Sequence, residues 1–369
     1  MRLRGGRSAP QPLNPPHMAT EARRESVPFL GILRGVGVMP AIGGLLILLV
    51  VLWLIENLIK TPADFVNVFL IGLTTGAIYA LVALGYTLVY GILELINFAH
   101  GDVFMLGGMI SATLATQVFK LGVGGGASKW PLVLLTLLIA MVACGSINAS
   151  IERIAYRPLR GAPRLAPLIT AIGMSFILEN IALAWKGPNF VSVPNILPRS
   201  EVFHVGQVTY TWNKLTVVLI TVPVLIGLVY LVQKTRQGKA MRATAQNADA
   251  AAMMGINVDR TISFTFLIAG GLAGAAGLLY ALYVTNVRFD QGFQLGLIAF
   301  TAAVLGGIGN LPGAVLGAVL IGLIQAFNEG LSWHAPGSDW TQSIVFSILI
   351  LILVFRPEGL LGERTPEGA

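Results

Sequence analysis

Charged side chains are scarce in this 369-residue chain. Asp, Glu, Lys and Arg make up only 11% of it, whereas an ordinary soluble domain contains about 25% charged residues. Hydrophobic residues make up 55%, and the mean hydropathy is +0.77. This composition excludes an ordinary soluble domain and indicates a protein whose long apolar segments cross a membrane.

Cysteine and histidine are scarce as well. The single cysteine, Cys144, excludes an intrachain disulfide and a cysteine-based metal cluster, so we expect it to be a small packing residue. The four histidines lie in different segments. A G-x-x-x-x-G-K-[ST] motif is absent, so the chain cannot bind ATP through a P-loop. We therefore predict no catalytic residue, no metal and no cofactor. The formal charge of +7 is expected to reflect membrane topology, and no nucleic-acid partner is predicted.

Long apolar runs are what the chain has in abundance. A helix needs roughly 20 apolar residues to cross the hydrocarbon core. The sequence therefore predicts an all-α polytopic membrane protein with about ten transmembrane helices. The eighth and tenth candidates are short, and half-helices remain an alternative for both. The candidates are residues 39–59, 65–93, 101–119, 131–151, 165–186, 214–233, 263–284, 293–309, 313–332 and 341–355.

Lysine and arginine residues set the expected orientation. If all ten helices cross and the amino terminus is cytoplasmic, 17 of the 24 lysine and arginine residues lie inside. The positive-inside rule therefore places both termini in the cytoplasm. We predict an arginine-rich disordered arm at 1–38, a transmembrane domain at 39–356 with a long cytoplasmic loop at 234–262, here called the coupling loop, and a tail at 357–369.

Two short segments suggest an internal repeat. The segment "NFAHG" at 97–101 aligns with "RFDQG" at 288–292, an offset of 191 residues. The same offset superimposes the second and third candidate helices on the seventh and eighth, and the repeat extends over spans 2–5 and 7–10. Because equivalent helices are five apart in chain order, an odd number, the repeats run in opposite directions, which is typical of transporters. This alignment predicts that the two segments lie on opposite sides of the membrane.

The coupling loop contains its own short helix. Asn247 is a suitable helix cap, "ADAAAMM" favours a helix, and Gly255 followed by Ile256 suits a left-handed stop. A helix this short is not stable alone in water, so we interpret it as a docking element for a cytoplasmic partner. For the basic residues around it, contact with anionic lipid headgroups is the alternative. The predicted coupling residues are Arg242, Asn247, Ala250, Ala251, Met254, Gly255 and Asp259.

Polar residues near the helix ends are candidates for the translocation path or its hinge. Asp102 is expected to cap the third helix and Gly101 to permit the chain break before it. Asn310 and Pro312 suit the start of the ninth helix, whose open end could face a substrate carboxylate. Glu179 is expected deep in the fifth helix, where a charged carboxylate is energetically costly. Glu152 is expected at the membrane interface. The full candidate set is Asn97, His100, Gly101, Asp102, Glu179, Asn310 and Pro312.

Four segments carry a resemblance to a known family. "GLTTGAIYALVALGYTLVYGILELINFAHGDVFMLGG", "IERIAYRPLRGAPRLAPLITAIGMSFILEN", "GKAMRATAQNADAAAMMGINVDRTISFTF" and "FTAAVLGGIGNLPGAVLGAVLIG" resemble the branched-chain amino-acid ABC transporter permeases of the LivH type. The resemblance implies an inner-membrane importer subunit with the large-permease fold. Its implied partners are a LivM-like second permease, two cytoplasmic LivG/LivF-like ATPases and a periplasmic amino-acid-binding protein, besides membrane lipid.

Three other functions stay open at this point. Relatives of such permeases carry urea, short amides or other amino acids. An ion-coupled secondary transporter would need charged or hydroxyl clusters at the membrane midplane. An intramembrane enzyme would need a nucleophile with a base, or a metal cluster, and the sequence offers neither.

Overall fold

The computed structural model describes residues 38–122, 129–163, 165–196 and 200–362, with only the backbone for 38–42 and 203–205. The predicted amino-terminal arm lies outside the described residues except for Val38, and so does the tail beyond 362. The chain divides into two compact units, Met1–Leu54 and Ile55–Ala369. Within the first unit, the described residues form one apolar helix that starts at Val38. The second unit contains the helices and strands that follow it.

Ten of the helices correspond to the predicted membrane spans. They are α1 (Val38–Lys60), α2 (Pro62–Leu93), α3 (Ala99–Thr113), α4 (Trp130–Ile151), α5 (Leu165–Lys186), α6 (Trp212–Lys234), α9 (Val258–Val284), α10 (Gln291–Gly306), α11 (Leu311–Gly330) and α12 (Ser338–Phe355). Two short helices, α7 (Arg236–Gln246) and α8 (Ala248–Met253), lie between α6 and α9. A π-helical turn continues α3 at Leu114–Val118. Another continues α4 at Glu152–Tyr156 and is followed by a 3₁₀ turn at Arg157–Leu159.

Eight of these ten helices are long and apolar enough to cross a membrane. The two exceptions are α10, with 16 residues, and α3, with 15 residues before its π-helical turn. The expectation of a short eighth span is therefore confirmed, whereas α12 reaches 18 residues and is long enough to cross. Helices α3 and α10 are equivalent in the two repeats.

The arginine-rich loops lie together on one face of the protein. Arg160 Nη1 lies 2.6 Å from Asp259 Oδ1, and the side chain of Asn310 donates to the carbonyl of Leu361 at 2.8 Å. These bonds bring together segments that lie far apart in sequence. We use the name basic face for residues 152–163, 234–262, 307–312 and 356–362.

The opposite face carries the few strands. A hairpin is formed by β2 (Glu201–Val205) and β3 (Val208–Thr211), which pair antiparallel. The strand β1 (Val191–Ser192) pairs antiparallel with β4 (Asn286–Val287), which joins the loop after α5 to the loop after α9. Helices α5 and α9 therefore end on the same face, as alternate crossing requires.

Helix packing repeats across the two halves. Helix α2 packs against α11 as its counterpart α9 packs against α4. The pairs α3 with α4 and α3 with α5 recur as α10 with α11 and α10 with α12, and α3 with α9 recurs as α10 with α2. The predicted repeat is therefore present as a pseudo-two-fold arrangement of helices.

The equivalent helices α2 and α9 run antiparallel. Thr75 shares a hydrogen bond with Tyr283, whereas ten residues later a Cβ added at Gly85 would lie 3.3 Å from the carbonyl oxygen of Ala269. Position numbers thus rise along one helix as they fall along the other, so the repeats are inverted. Both helices end in a non-glycine left-handed residue at equivalent positions, namely Glu94 with φ 52° and Thr285 with φ 63°.

Small residues let the helix backbones approach closely. A Cβ added at Gly76 would lie 2.8 Å from Val319 Cα, and one at Gly274 would lie 2.4 Å from the carbonyl oxygen of Ala140. Such close approaches are what small residues permit between membrane helices. Gly309 differs, because it precedes α11 with φ +94° and an added Cβ there would meet no described atom within 4 Å. Cys144 is buried beside Gly274, in line with its predicted packing role.

We expect Gly274→Ala to destabilise the protein. The new methyl group would meet backbone atoms of α4, which cannot rotate away, so a cost of about 1–3 kcal/mol is expected. Thermal unfolding of the detergent-purified protein measures it. Gly227→Ala in α6 is the matched control, because an added Cβ there meets nothing within 4 Å. Equal melting temperatures for both variants would contradict the packing argument.

Candidate functional site

The two segments that define the repeat meet in the structure. A Cβ added at Gly101 would lie 2.4 Å from the carbonyl oxygen of Gly292 and 2.8 Å from Gly296 Cα. Since Gly101 and Gly292 are equivalent under the repeat and touch, the pseudo-two-fold axis passes between them. For inverted repeats this axis lies in the plane of the membrane, at mid-depth. The two segments therefore meet at their glycines, whereas Asn97, bonded to Tyr156, lies toward the basic face and Arg288, next to β4, lies toward the opposite face.

This contact lies where α3 and α10 both begin. We use the name joint for residues 97–102 and 288–292. Because both helices start inside the membrane, neither has to cross its full thickness, which explains why they are short. Only glycine fits at Gly101 and Gly292, since a side chain on either would overlap the backbone of the other half.

Asp102 is fully buried at the joint. Its Oδ2 accepts a hydrogen bond from the hydroxyl of Ser175, near the middle of α5. Asp102 lies in the first turn of α3, but the helix has no side-chain cap hydrogen bond, so the predicted cap is wrong. The carboxylate instead ties α3 to α5, because burial demands a polar partner and Ser175 supplies one. Its Oδ1 faces Gly292 and has no hydrogen-bond partner among the residues that the structure describes.

His100 fills the space beside the same contact. Its side chain is fully buried, and its ring packs edge-on against Tyr86 at a centroid distance of 4.8 Å. A Cβ added at Gly85 would lie 2.1 Å from His100 Nε2. The imidazole therefore occupies room that a glycine of α2 leaves open. In this arrangement it is a packing group of the joint.

Asn97 is held by two other polar side chains. Its Oδ1 accepts from the hydroxyl of Tyr156 at 2.7 Å, and its Nδ2 donates to Asn148 Oδ1 at 3.4 Å. Asn148 in turn donates to the carbonyl of Phe266 at 2.7 Å. This group connects the joint to the end of α4 and to α9.

Glu179 lies one helical turn beyond Ser175 on α5 and is half-buried. The next residue, Asn180, is exposed and donates its side-chain N–H to the carbonyl of Phe176 at 2.8 Å. A carboxylate and an amide at this depth are costly against lipid. This part of α5 therefore suits a protein or water environment better than lipid.

The predicted docking helix is present as α8. The side chain of Asn247 accepts from the N–H of Ala250 at 2.8 Å, and Gly255 has φ +82°. Both the cap and the left-handed stop are therefore confirmed. Ala251 is buried against the protein, whereas Met253 and Met254 are 82% and 83% exposed. The helix thus presents two large apolar side chains at its free end.

Arg242, Asn310 and Pro312 are brought together. They line a cavity of about 510 Å³ on the basic face, between α2, α7 and the segment before α11. Asn310 caps α11 as predicted, with its Oδ1 3.0 Å from the N–H of Gly313. Arg242 donates to the carbonyl of Val232 at the end of α6. The predicted path-or-hinge set is therefore split, because Asn310 and Pro312 lie with the predicted coupling residue Arg242 and apart from the joint.

Glu152 is fully buried and pairs with Arg160, which also bonds Asp259. It lies on the basic face, and its position at the membrane interface stays a prediction. Ser175 and Tyr156 were missed entirely, because a single hydroxyl in an apolar helix gives no pattern. Among the described residues, no group of three or more His, Cys, Asp or Glu side chains could hold a metal ion.

Comparison with known proteins decides the family. The family described as branched-chain amino acid transport system / permease component matches residues 68–354. The chain belongs to this family. It is 39% identical to the high-affinity branched-chain amino acid transport system permease protein BraD of Pseudomonas aeruginosa, over 80% of this chain and 95% of that protein. It is 37% identical to LivH of Escherichia coli K12, with the same coverage.

A more distant relative is the probable LivH protein of Methanocaldococcus jannaschii, at 26% identity over 76% of this chain and 88% of that protein. No solved structure matches the chain. The chain is thus a multi-pass permease subunit, not an enzyme, and it works with other subunits of an ABC transporter. The predicted family and fold class are confirmed.

We expect Ser175→Ala to destabilise the protein by about 1–3 kcal/mol, because it leaves the buried Asp102 carboxylate without the donated hydrogen bond. Thermal unfolding in detergent is the measurement. Ser146→Ala is the control, since the hydroxyl of Ser146 is exposed on α4 and, within the described part of the chain, donates to the carbonyl of Val142 one turn earlier. A loss of the same size in both variants would show that the Ser175 bond has no special weight.

Proposed function

We propose that this chain is half of the translocation path of an ATP-driven importer for branched-chain or related hydrophobic amino acids. Family membership, together with two similar proteins that carry this activity in their names, supports the substrate class. The observation that carries the coupling part is α8, a capped helix that exposes Met253 and Met254 on the basic face.

The exposed methionines suit a partner groove. Methionine side chains are flexible and apolar, and a pair of them at a helix end can insert into a cleft of another protein. We assign them to an ATPase subunit, one of two that resemble LivG and LivF. Of the predicted coupling residues, Ala250, Gly255 and Asn247 build α8, Ala251 and Arg242 hold the loop on the bundle, and Asp259 anchors the start of α9.

The arginine-rich loops support a cytoplasmic position for the basic face, with both termini inside the bacterial inner membrane. The opposite face then receives a periplasmic amino-acid-binding protein. A LivM-like subunit completes the permease. The half-buried Glu179 and exposed Asn180 make α5 a candidate lining of the path between the two subunits, and Asn97, His100, Gly101 and Asp102 are candidates for its hinge.

We expect uptake of leucine, isoleucine and valine into proteoliposomes that contain this chain with its partner subunits, ATP and the binding protein. The family relationship is the main reason for this expectation. Urea is the informative competitor, because it lacks both the apolar side chain and the charged groups of these amino acids. Radiolabelled leucine uptake, measured with each compound in excess, is the test. Uptake that needs no ATP, or that urea blocks and valine does not, would overturn the proposal.

We expect the double variant Met253→Ser, Met254→Ser to lower ATP-dependent uptake about tenfold or more, as expected when an apolar anchor is removed from an interface. Co-purification of the ATPase subunits, measured together with uptake, shows whether docking is the cause. Gln246→Ser, an exposed position in the same loop, is the matched control. Full ATPase binding by the double variant would refute the docking role of α8.

A further inference from the structure

A charged cluster ties the start of α9 to the end of α4. Arg160 bonds both Glu152 and Asp259, with Nη1 2.6 Å from Asp259 Oδ1. Ser263 donates to Glu152 Oε2 at 2.5 Å, so both carboxylate oxygens of Glu152 are bonded. Asp259 lies in the first turn of α9, which directly follows the loop that carries α8.

The Glu152–Arg160 pair is more buried than the Arg157–Asp259 pair. The side chain of Glu152 is 0% exposed and that of Arg160 is 21% exposed, whereas Arg157 and Asp259 are 40% and 49% exposed. Exposed ion pairs contribute little, because water and salt screen them. Removal of one member of a buried pair leaves the other charge uncompensated. Movement of α9 therefore reaches Glu152 directly through Ser263 and, from Asp259, by way of Arg160.

Tyr156 continues the connection toward the joint. It closes the π-helical turn that Glu152 opens, and its ring packs against Phe266 of α9 at 5.7 Å. Its hydroxyl donates to Asn97 Oδ1 at 2.7 Å. The carbonyl of Asn97 accepts from the N–H of His100 at 3.1 Å, in the first turn of α3. The next residue is Gly101, which touches Gly292.

The second repeat lacks this connection within the described part of the chain. The residue equivalent to Asn97 is Arg288, which bonds Asp290 two residues later, with Nε 2.5 Å from Oδ1. Arg288 lies on the side of the molecule away from α8. If these contacts only stabilised the joint, equivalent contacts would be expected in both repeats. Among the described residues, the connection belongs to the half whose loops share a face with the docking helix.

We propose that Glu152, Arg160, Tyr156 and Asn97 form a linkage that transmits movement of the docking loop to the joint at mid-membrane. They are positioning residues for transport, which act through the joint and do not contact substrate. This inference rests on the proposed importer function. The bistable element is the joint, where bare backbone contact between α3 and α10 allows one helix start to shift against the other.

The test uses Tyr156→Phe, which removes the hydroxyl and keeps the ring against Phe266. In proteoliposomes with the complete importer, we measure substrate transported per ATP hydrolysed. We expect this ratio to fall about fivefold or more, the size of a typical coupling between two sites, while assembly and binding-protein-stimulated ATP hydrolysis persist. Tyr230→Phe is the matched control, since Tyr230 is 64% exposed on α6. A variant with an unchanged ratio would overturn the linkage.

Arg160→Lys provides a second variant, because lysine keeps the charge but cannot bond Glu152 and Asp259 through a shared guanidinium. We expect the same loss of coupling, and the double variant Arg160→Lys, Tyr156→Phe should add little to either loss, since both residues act in series. Additive losses would contradict a single linkage. If Tyr156→Phe fails to assemble, Arg160→Lys alone decides the outcome.

The wild-type importer separates this inference from the function on which it rests. If it shows no ATP-dependent amino-acid uptake, the proposed function fails. If it transports normally and both variants retain its transport-to-hydrolysis ratio, only the linkage fails.

Discussion

The backbone contact between Gly101 and Gly292 is the constraint on which the rest of the bundle depends. Because the two residues are equivalent in the repeats, their contact fixes the position of the pseudo-two-fold axis. Three features follow from that axis. Helices α2 and α9 run antiparallel, α3 and α10 are short, and α4 packs against α9 as α11 packs against α2. A side chain at either glycine would push the two halves of the bundle apart.

Two kinds of interaction stabilise different parts of the bundle. In its interior, glycine and alanine bring backbones together, and close packing has to supply the attraction because lipid is as apolar as the helices. At the basic face, arginine, carboxylate and amide side chains connect segments that would otherwise be held only by loops. The two kinds of interaction meet at the joint, since Asn97 and Asp102 form polar hydrogen bonds next to the glycine contact.

Length and hydropathy were sufficient to predict the ten helices, because each apolar run must be buried or face lipid. The caps at Asn247 and Asn310 were also predictable, since a cap acts within three residues of its own position. The place of the joint was not, because the meeting of Gly101 with Gly292 is a tertiary contact between halves 191 residues apart. The burial of Glu152 was not predictable for a related reason, since its position at the end of an apolar run says nothing about Arg160, with which it pairs.

The burial of the single cysteine makes site-specific labelling of this protein practical. Cys144 is fully buried where α4 meets α9 and α3, with backbone on several sides. A maleimide reagent cannot reach a thiol in such a place while the bundle is folded. A cysteine introduced at an exposed position would therefore be labelled selectively in the otherwise native sequence, and a fluorophore or spin probe would report from that position alone.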